Sequence, residues 1–262
     1  MSRRRSPLAW IAVALLMAVI VFVVTVRSLR HKSTPPEAIG PRVQRVRNLF
    51  TEIYGARTAS GIIVFDAGVD PAGDALDRLL GGLSATRSDV KEVFLTHGHF
   101  DHVAFAPLCA HAKIRVGAGD VEFLAQRAPV YGTFGVKTLN ALFPVPPVIA
   151  TDPLQGRTEI GAGDDKVLAI PVPGHTPGSY VFVFAGIMFA GDSINIDGDK
   201  LTYAMPSFTV DKEENRRSVA ALGEALKGVE VQTICTGHQG CTATGRAPAM
   251  LAALIERAKS GK

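Results

Sequence analysis

Cysteine is scarce in this chain: 262 residues hold only Cys109, Cys235 and Cys241. Three cysteines exclude a disulfide framework and say nothing about the compartment. A Cys235–Cys241 bridge is open to the pair, but small buried or free thiols are the expectation for all three. Internal repeats are also absent. So is a basic surface on the main domain. Formal net charge is +4, yet residues 1–47 carry nine Lys/Arg and one acid, Glu37. Setting those ten aside leaves 19 basic against 23 acidic residues. A domain near −4 lacks the positive footprint that tracks phosphates, so nucleic acid is not an expected partner.

A long, continuously apolar stretch without charge runs from Leu8 to Val26. Its 19 residues span roughly 28 Å as a helix, close to the hydrocarbon thickness of a bilayer. Arg3, Arg4 and Arg5 precede it, and Arg27, Arg30 and Lys32 follow. No Ala-x-Ala site ends the run, and the basic residues after it disfavour cleavage. An uncleaved single-pass anchor is expected over a signal peptide. With both flanks basic, orientation leans toward the short tail inside and the catalytic domain outside the cytoplasm. The expected organisation is a tail and anchor over 1–32, a Pro-containing linker over 33–45, and one catalytic domain over 46–262.

Within that domain short apolar strands alternate with helical stretches. Gly61–Phe65, Val93–Leu95, Ile114–Val116, Lys166–Val172, Tyr180–Phe184, Ile187–Ala190 and Val231–Cys235 read as strands. Helical spacing covers Asp74–Leu80, Val103–Ala112, Asp211–Leu226 and Ala247–Lys259, with Asp211 as N-cap and Glu214 as its capping-box partner. Several strands run straight into a polar residue: Asp66, His97, His175, Asp192 and His238. Strand ends gathered at one sheet edge would bring those side chains together.

Three imidazoles and a carboxylate crowd Thr96-His97-Gly98-His99-Phe100-Asp101-His102. His97 and His99 are two apart, so an extended segment points both the same way. Asp101 and His102 point elsewhere as the chain turns into a helix. With His175, Asp192 and His238 the chain offers seven metal-ligating side chains. One tetrahedral ion takes about four, so the set suits two ions sharing a bridge. His31 and His111 read as surface residues, and Cys241 is not an expected ligand.

This His-x-His-x-Asp-His motif, with Gly174-His175, Gly191-Asp192 and Gly237-His238 in order, resembles the metallo-β-lactamase fold superfamily over roughly residues 46–260. The resemblance implies an α/β fold, a four-layer αββα sandwich. It implies that His97, His99 and His175 hold one metal, that Asp101, His102 and His238 hold a second, and that Asp192 bridges them. Asp66 matches a position that orients a ligand histidine. The implied chemistry is hydrolysis of an ester, thioester, lactone or amide by a hydroxide held between two ions, with Asp101 orienting it. Zinc is the expected metal, and iron or manganese fit the same donors.

The Pro173–Ser179 run resembles glyoxalase II and related thioesterases. The chain ends about two dozen residues after His238, without that family's glutathione-binding helical extension, so a different small-molecule substrate is expected. A carboxylate at Asp192 departs from the true β-lactamases, so β-lactam hydrolysis stands as the less expected alternative. The rival chemistry is a mononuclear iron oxidoreductase like the persulfide dioxygenases, using His97, His175 and Asp192. Residues 120–157 and 195–210 could form a lid over the metals or serve as ordinary core.

Overall fold

The computed structural model describes residues 7–161 and 163–261. Arg3, Arg4 and Arg5 lie outside the described residues. The chain opens with helix α1 (Pro7–Leu29), whose Trp10–Leu29 portion is long and apolar enough to cross a membrane. A first sheet follows in the order β1 (Glu37–Gly40), β2 (Val43–Asn48), β3 (Thr51–Thr58), β4 (Gly61–Phe65), β5 (Val90–Phe94) and β6 (Lys113–Arg115). Its first four strands are antiparallel and its last three parallel. Helix α2 (Asp74–Gly82) links β4 to β5, and the short α3 (Phe100–Val103) follows β5. Helices α4 (Val121–Leu124) and α5 (Phe134–Leu142) come next.

The second sheet has β7 (Thr158–Ile160), β8 (Val167–Pro171), β9 (Tyr180–Phe184) and β10 (Ile187–Phe189) as antiparallel neighbours. A hairpin of β11 (Ile194–Asp197) and β12 (Lys200–Tyr203) precedes α6 (Lys212–Ala225). Strand β13 (Thr233–Cys235) then pairs parallel with β10, and α7 (Ala247–Lys259) closes the chain.

Period-two patterning sorts the strand residues into three cores. In β4, Ile62 and Val64 face the α2 side with Leu76, Leu79 and Leu80. Their neighbours Ile63 and Phe65 face the other sheet, as do Phe182 and Phe184 of β9. On the far side, Val181 and Val183 meet Val219 and Leu222 of α6 and Leu251 and Leu254 of α7. Every central strand is thus buried on both faces, which is why these strands read as continuous apolar runs. The layers are helix, sheet, sheet, helix: the αββα sandwich.

The structure corrects four expectations. Residues 37–45 are not linker: they form β1 and the start of β2, paired from Glu37–Arg45 to Gly40–Val43. No continuous helix spans Val103–Ala112. Ala104 N–H donates to Gly68 O and Phe105 N–H to Ala67 O, so donors that would extend α3 are spent on the turn after β4, and Pro107 then starts a separate 3-10 turn. Asp211 does cap α6, accepting from Glu214 N–H at 2.8 Å, but its own N–H goes to Gly174 O and the Glu214 carboxylate pairs with Arg217. Finally, Cys235 and Cys241 are joined by a disulfide, and only Cys109 is a free, buried thiol. The tight β-bridge between Cys235 and Cys241 brings the two side chains together, a proximity that a sequence separation of 6 does not announce.

Candidate metal centre

Both sheets end at one edge, and each delivers part of the site. From the first sheet come Asp66, just past β4, and the 97–102 segment, just past β5. From the second come His175 after β8, Asp192 after β10 and His238 after β13. Gly191 turns the chain at φ 52° behind Asp192, and a Cβ there would lie 2.3 Å from Thr96 Oγ1. A Cβ on Gly237 would lie 2.2 Å from Asp192 Oδ1 and 2.6 Å from His102 Cε1. Glycine at these two positions is what lets the sheets' ends close on each other.

All seven expected ligands converge. His99 Nδ1 lies 3.1 Å from His97 Nε2 and 3.0 Å from His175 Nε2. Ligand atoms around a tetrahedral ion at about 2.0–2.1 Å lie roughly 3.3 Å apart, so this trio fits one cation. On the other side, His238 Nε2 is 3.0 Å from Asp192 Oδ2 and 3.6 Å from Asp101 Oδ2. His102 Nε2 is 3.4 Å from Asp192 Oδ1 and 3.8 Å from Asp101 Oδ2. Asp192 also approaches the trio, with Oδ2 3.8 Å from His175 Nε2. His102 Nε2 and Asp192 Oδ1 are buried without a hydrogen-bond partner. Buried polar atoms left orphaned so close together fit a cation-binding pocket better than a packed core.

The imidazoles are oriented from behind. Asp66 Oδ2 accepts from His102 Nδ1 at 2.8 Å and from Thr96 Oγ1 at 2.9 Å, while its Oδ1 accepts from Thr96 N–H at 2.7 Å. Thr96 Oγ1 in turn lies 3.0 Å from His97 Nδ1. His175 Nδ1 faces Thr209 Oγ1 at 3.4 Å, and His238 Nδ1 donates to Phe50 O at 2.9 Å. Four histidines therefore have Nδ1 occupied and Nε2 turned inward, while His99 alone presents Nδ1.

Electrostatics divides the site. Burial drives His97 well below its ordinary pKa, and brings His99 down to about 4 and His175 to about 3. Burial also opposes charge on His102 and His238. There the carboxylates of Asp192, Asp66 and Asp101 prevail at His102, which is raised well above its ordinary value, and those of Asp192 and Asp101 lift His238 to about 9. Asp192, although buried, is held well below the usual carboxylate range by His238 and His102.

His111 is exposed, with Nε2 donating to Arg87 O at 3.0 Å, and His31 is exposed too. Cys241 is committed to its disulfide. Sequence reasoning missed Asp120. It is fully buried and accepts from Gly98 N–H, Gly178 N–H and Thr176 Oγ1, each at 2.7 Å. It locks the His97–His99 loop to the Pro173–Ser179 loop. Its local signal was the Gly117-Ala118-Gly119-Asp120 run, where both glycines pack against Pro177–Gly178. Thr209 and the Phe50 carbonyl gave no signal, because their partners are 34 and 188 residues away, and Thr96, although next to His97, reaches Asp66 only across 30 residues.

The sequence model of the metallo-beta-lactamase superfamily matches residues 50–238. Among curated relatives, the uncharacterized protein YobT of Bacillus subtilis is 33% identical over 156 residues, covering 52% of this chain and 63% of its own. The probable polyketide biosynthesis zinc-dependent hydrolase PksB of the same organism is 28% identical over 131 residues, half of each chain. This chain thus spans about half to two thirds of the length of those relatives. A metallo-beta-lactamase of Cronobacter sakazakii shares the fold at a TM-score of 0.66 and 20% identity, covering 88% of this chain and 94% of its own. The chain belongs to the metallo-beta-lactamase superfamily.

Proposed function

We propose that this member of the metallo-beta-lactamase superfamily is a membrane-anchored binuclear hydrolase of esters, thioesters or lactones. The observation that carries the reading is the pair of ligand groups, His97/His99/His175 and Asp101/His102/His238, with Asp192 between them. The zinc-dependent relative supports zinc as the metal. Two such ions would lower the pKa of water and polarise a substrate carbonyl.

The chain's own residues supply the rest. His97, His99 and His175 would hold the first ion with neutral rings, the state their burial already imposes. Asp101, His102 and His238 would hold the second, and Asp192 would hold the pair together. Asp66 and Phe50 O keep the protons of His102 and His238 on Nδ1, which frees Nε2 for the metal. Asp101 Oδ2, at the cavity floor, can orient the attacking water and take its proton.

The α1 helix supports anchoring, and the disulfide supports an oxidising, extracytoplasmic location for the domain. The test is metal analysis of the full chain with turnover of an ester, thioester, lactone and β-lactam panel. Two zinc ions per chain with thioester, ester or lactone turnover is the expected result. One iron per chain with oxygen uptake would instead favour the oxidoreductase chemistry.

A further inference from the structure

The cavity above the ligand cluster has a volume of about 290 Å³. Its floor is polar, formed by His99, Asp101, Asp192 and His238. Its walls are apolar, and one wall is Val136, Leu139 and Phe143 of α5 and its end. Another wall comes from outside the domain: Phe22 and Val26 of α1 line the same cavity. These two are four residues apart, hence on one face of the helix. Phe22 lies seven residues before Leu29, about 10 Å along the axis, within the last two turns of the membrane-length segment.

The helix is fastened there. The Phe22 ring meets Phe143 edge-on at 6.2 Å, and Arg27 Nη2 donates to Leu142 O at 2.7 Å. Asn48, fully buried, donates from Nδ2 to Arg30 O at 2.6 Å while its Oδ1 accepts from Val69 N–H. It thus ties the end of α1 to the loop that follows Asp66. The polypeptide around the cavity also exposes large apolar side chains, Phe134 at 86% and Met205 at 48%. Thr133 Oγ1 donates to Ser207 O, so these two segments form one rim. Exposed apolar groups beside a membrane-length helix suit contact with lipid better than contact with water.

We propose that the substrate is a bilayer-resident amphiphile. Its acyl chain lies against Phe22, Val26, Leu139 and Phe143, and its ester or thioester carbonyl reaches the polar floor. The inference rests on the hydrolase reading for its chemistry: water adds to the acyl carbon, the C–O or C–S bond breaks, the hydroxyl stays on the acyl product and the proton goes to the leaving alkoxide or thiolate. The apolar channel rests on geometry alone.

Two measurements test it on the full chain in phosphatidylcholine vesicles. The first is crosslinking by a dodecyl ether carrying a terminal diazirine, with the metal removed by chelation. Label on Val136–Phe143 as well as on Phe22 or Val26 is expected; label confined to the outer part of α1 overturns the proposal. The second is an acyl ester series from two to fourteen carbons. The expected kcat/KM, referred to the free aqueous concentration of each ester, rises roughly threefold to fourfold per methylene until the cavity is full, and Leu139→Trp lowers the ratio of twelve-carbon to four-carbon turnover at least about tenfold. Turnover that is indifferent to chain length overturns the acyl site and leaves the hydrolase reading standing. No turnover of any ester, thioester or lactone removes the hydrolase reading, and the crosslinks then decide the acyl site alone.

Discussion

The two halves of the metal centre solve the same burial problem in opposite ways. His97, His99 and His175 are packed together as neutral rings, with burial pushing their pKa values down. His102 and His238 are held as cations by Asp192 and Asp101, with Asp66 adding to the pull on His102. The first half waits for a positive charge from outside, whereas the second already compensates itself. The carboxylates, more than the imidazoles, therefore govern how the protein behaves before metal arrives, and Asp192 is the group both halves share.

Removing that group should break the comparison most severely. Asp192→Ala leaves only Asp66 and Asp101 to compensate His102 and only Asp101 to compensate His238. The metal-free protein should lose about 3–5 kcal/mol by denaturant unfolding, and the loaded protein should hold fewer than two ions by metal analysis. His175→Ala, in the neutral half, should destabilise the metal-free protein distinctly less; an equal loss would erase the distinction.

Acid should separate the halves next. The unfolded chain takes up protons on His99 and His175 below about pH 6.5, whereas the fold resists until about 4 and 3. Stability of the metal-free protein should therefore fall, by a few kcal/mol, as pH drops through that window. His238 runs the other way: its contribution is full below about pH 6.5 and is lost as pH rises through about 9. Thermal melts across pH should show a maximum near neutrality, and a flat profile would contradict both assignments.

Asp66→Ala should act through orientation. With His102 Nδ1 and Thr96 both released, metal affinity by competition with a chelator should weaken roughly 10–100-fold. The smallest effect belongs to Thr209→Val, which removes one hydroxyl behind His175 and should cost about 1 kcal/mol in melting experiments, with little change in metal stoichiometry.

How much of this was legible in the sequence depends on range. The candidate ligand positions were readable because His97, His175, Asp192 and His238 each stand three or four residues past a buried strand's end, and strands buried on both faces announce themselves as apolar runs. The α6 start at Asp211 and the β9–β10 turn at Gly186 were readable for the same reason, as local backbone chemistry. The failed helix over 103–112 shows the limit: its apolar residues are genuinely buried, but the Ala67–Gly68 carbonyls, some 37 residues earlier in the chain, claim the N–H groups a helix would need. The strand at 37–40 was hidden because β1 is a half-exposed edge with little apolar pattern.

Sequence alone pointed to the candidate ligands and the membrane-length helix, since each lies in a short local segment. Tertiary structure alone decided that Asp120 clamps two ligand loops, that Cys235 meets Cys241, that Thr96 and Thr209 turn the rings, and that Phe22 and Val26 wall the cavity. Those facts depend on how segments meet once both sheets and α1 have packed: the contacts of Asp120, Thr209, Phe22 and Val26 are remote in sequence, and those of Thr96 and Cys235 need a chain path that spacing alone does not fix.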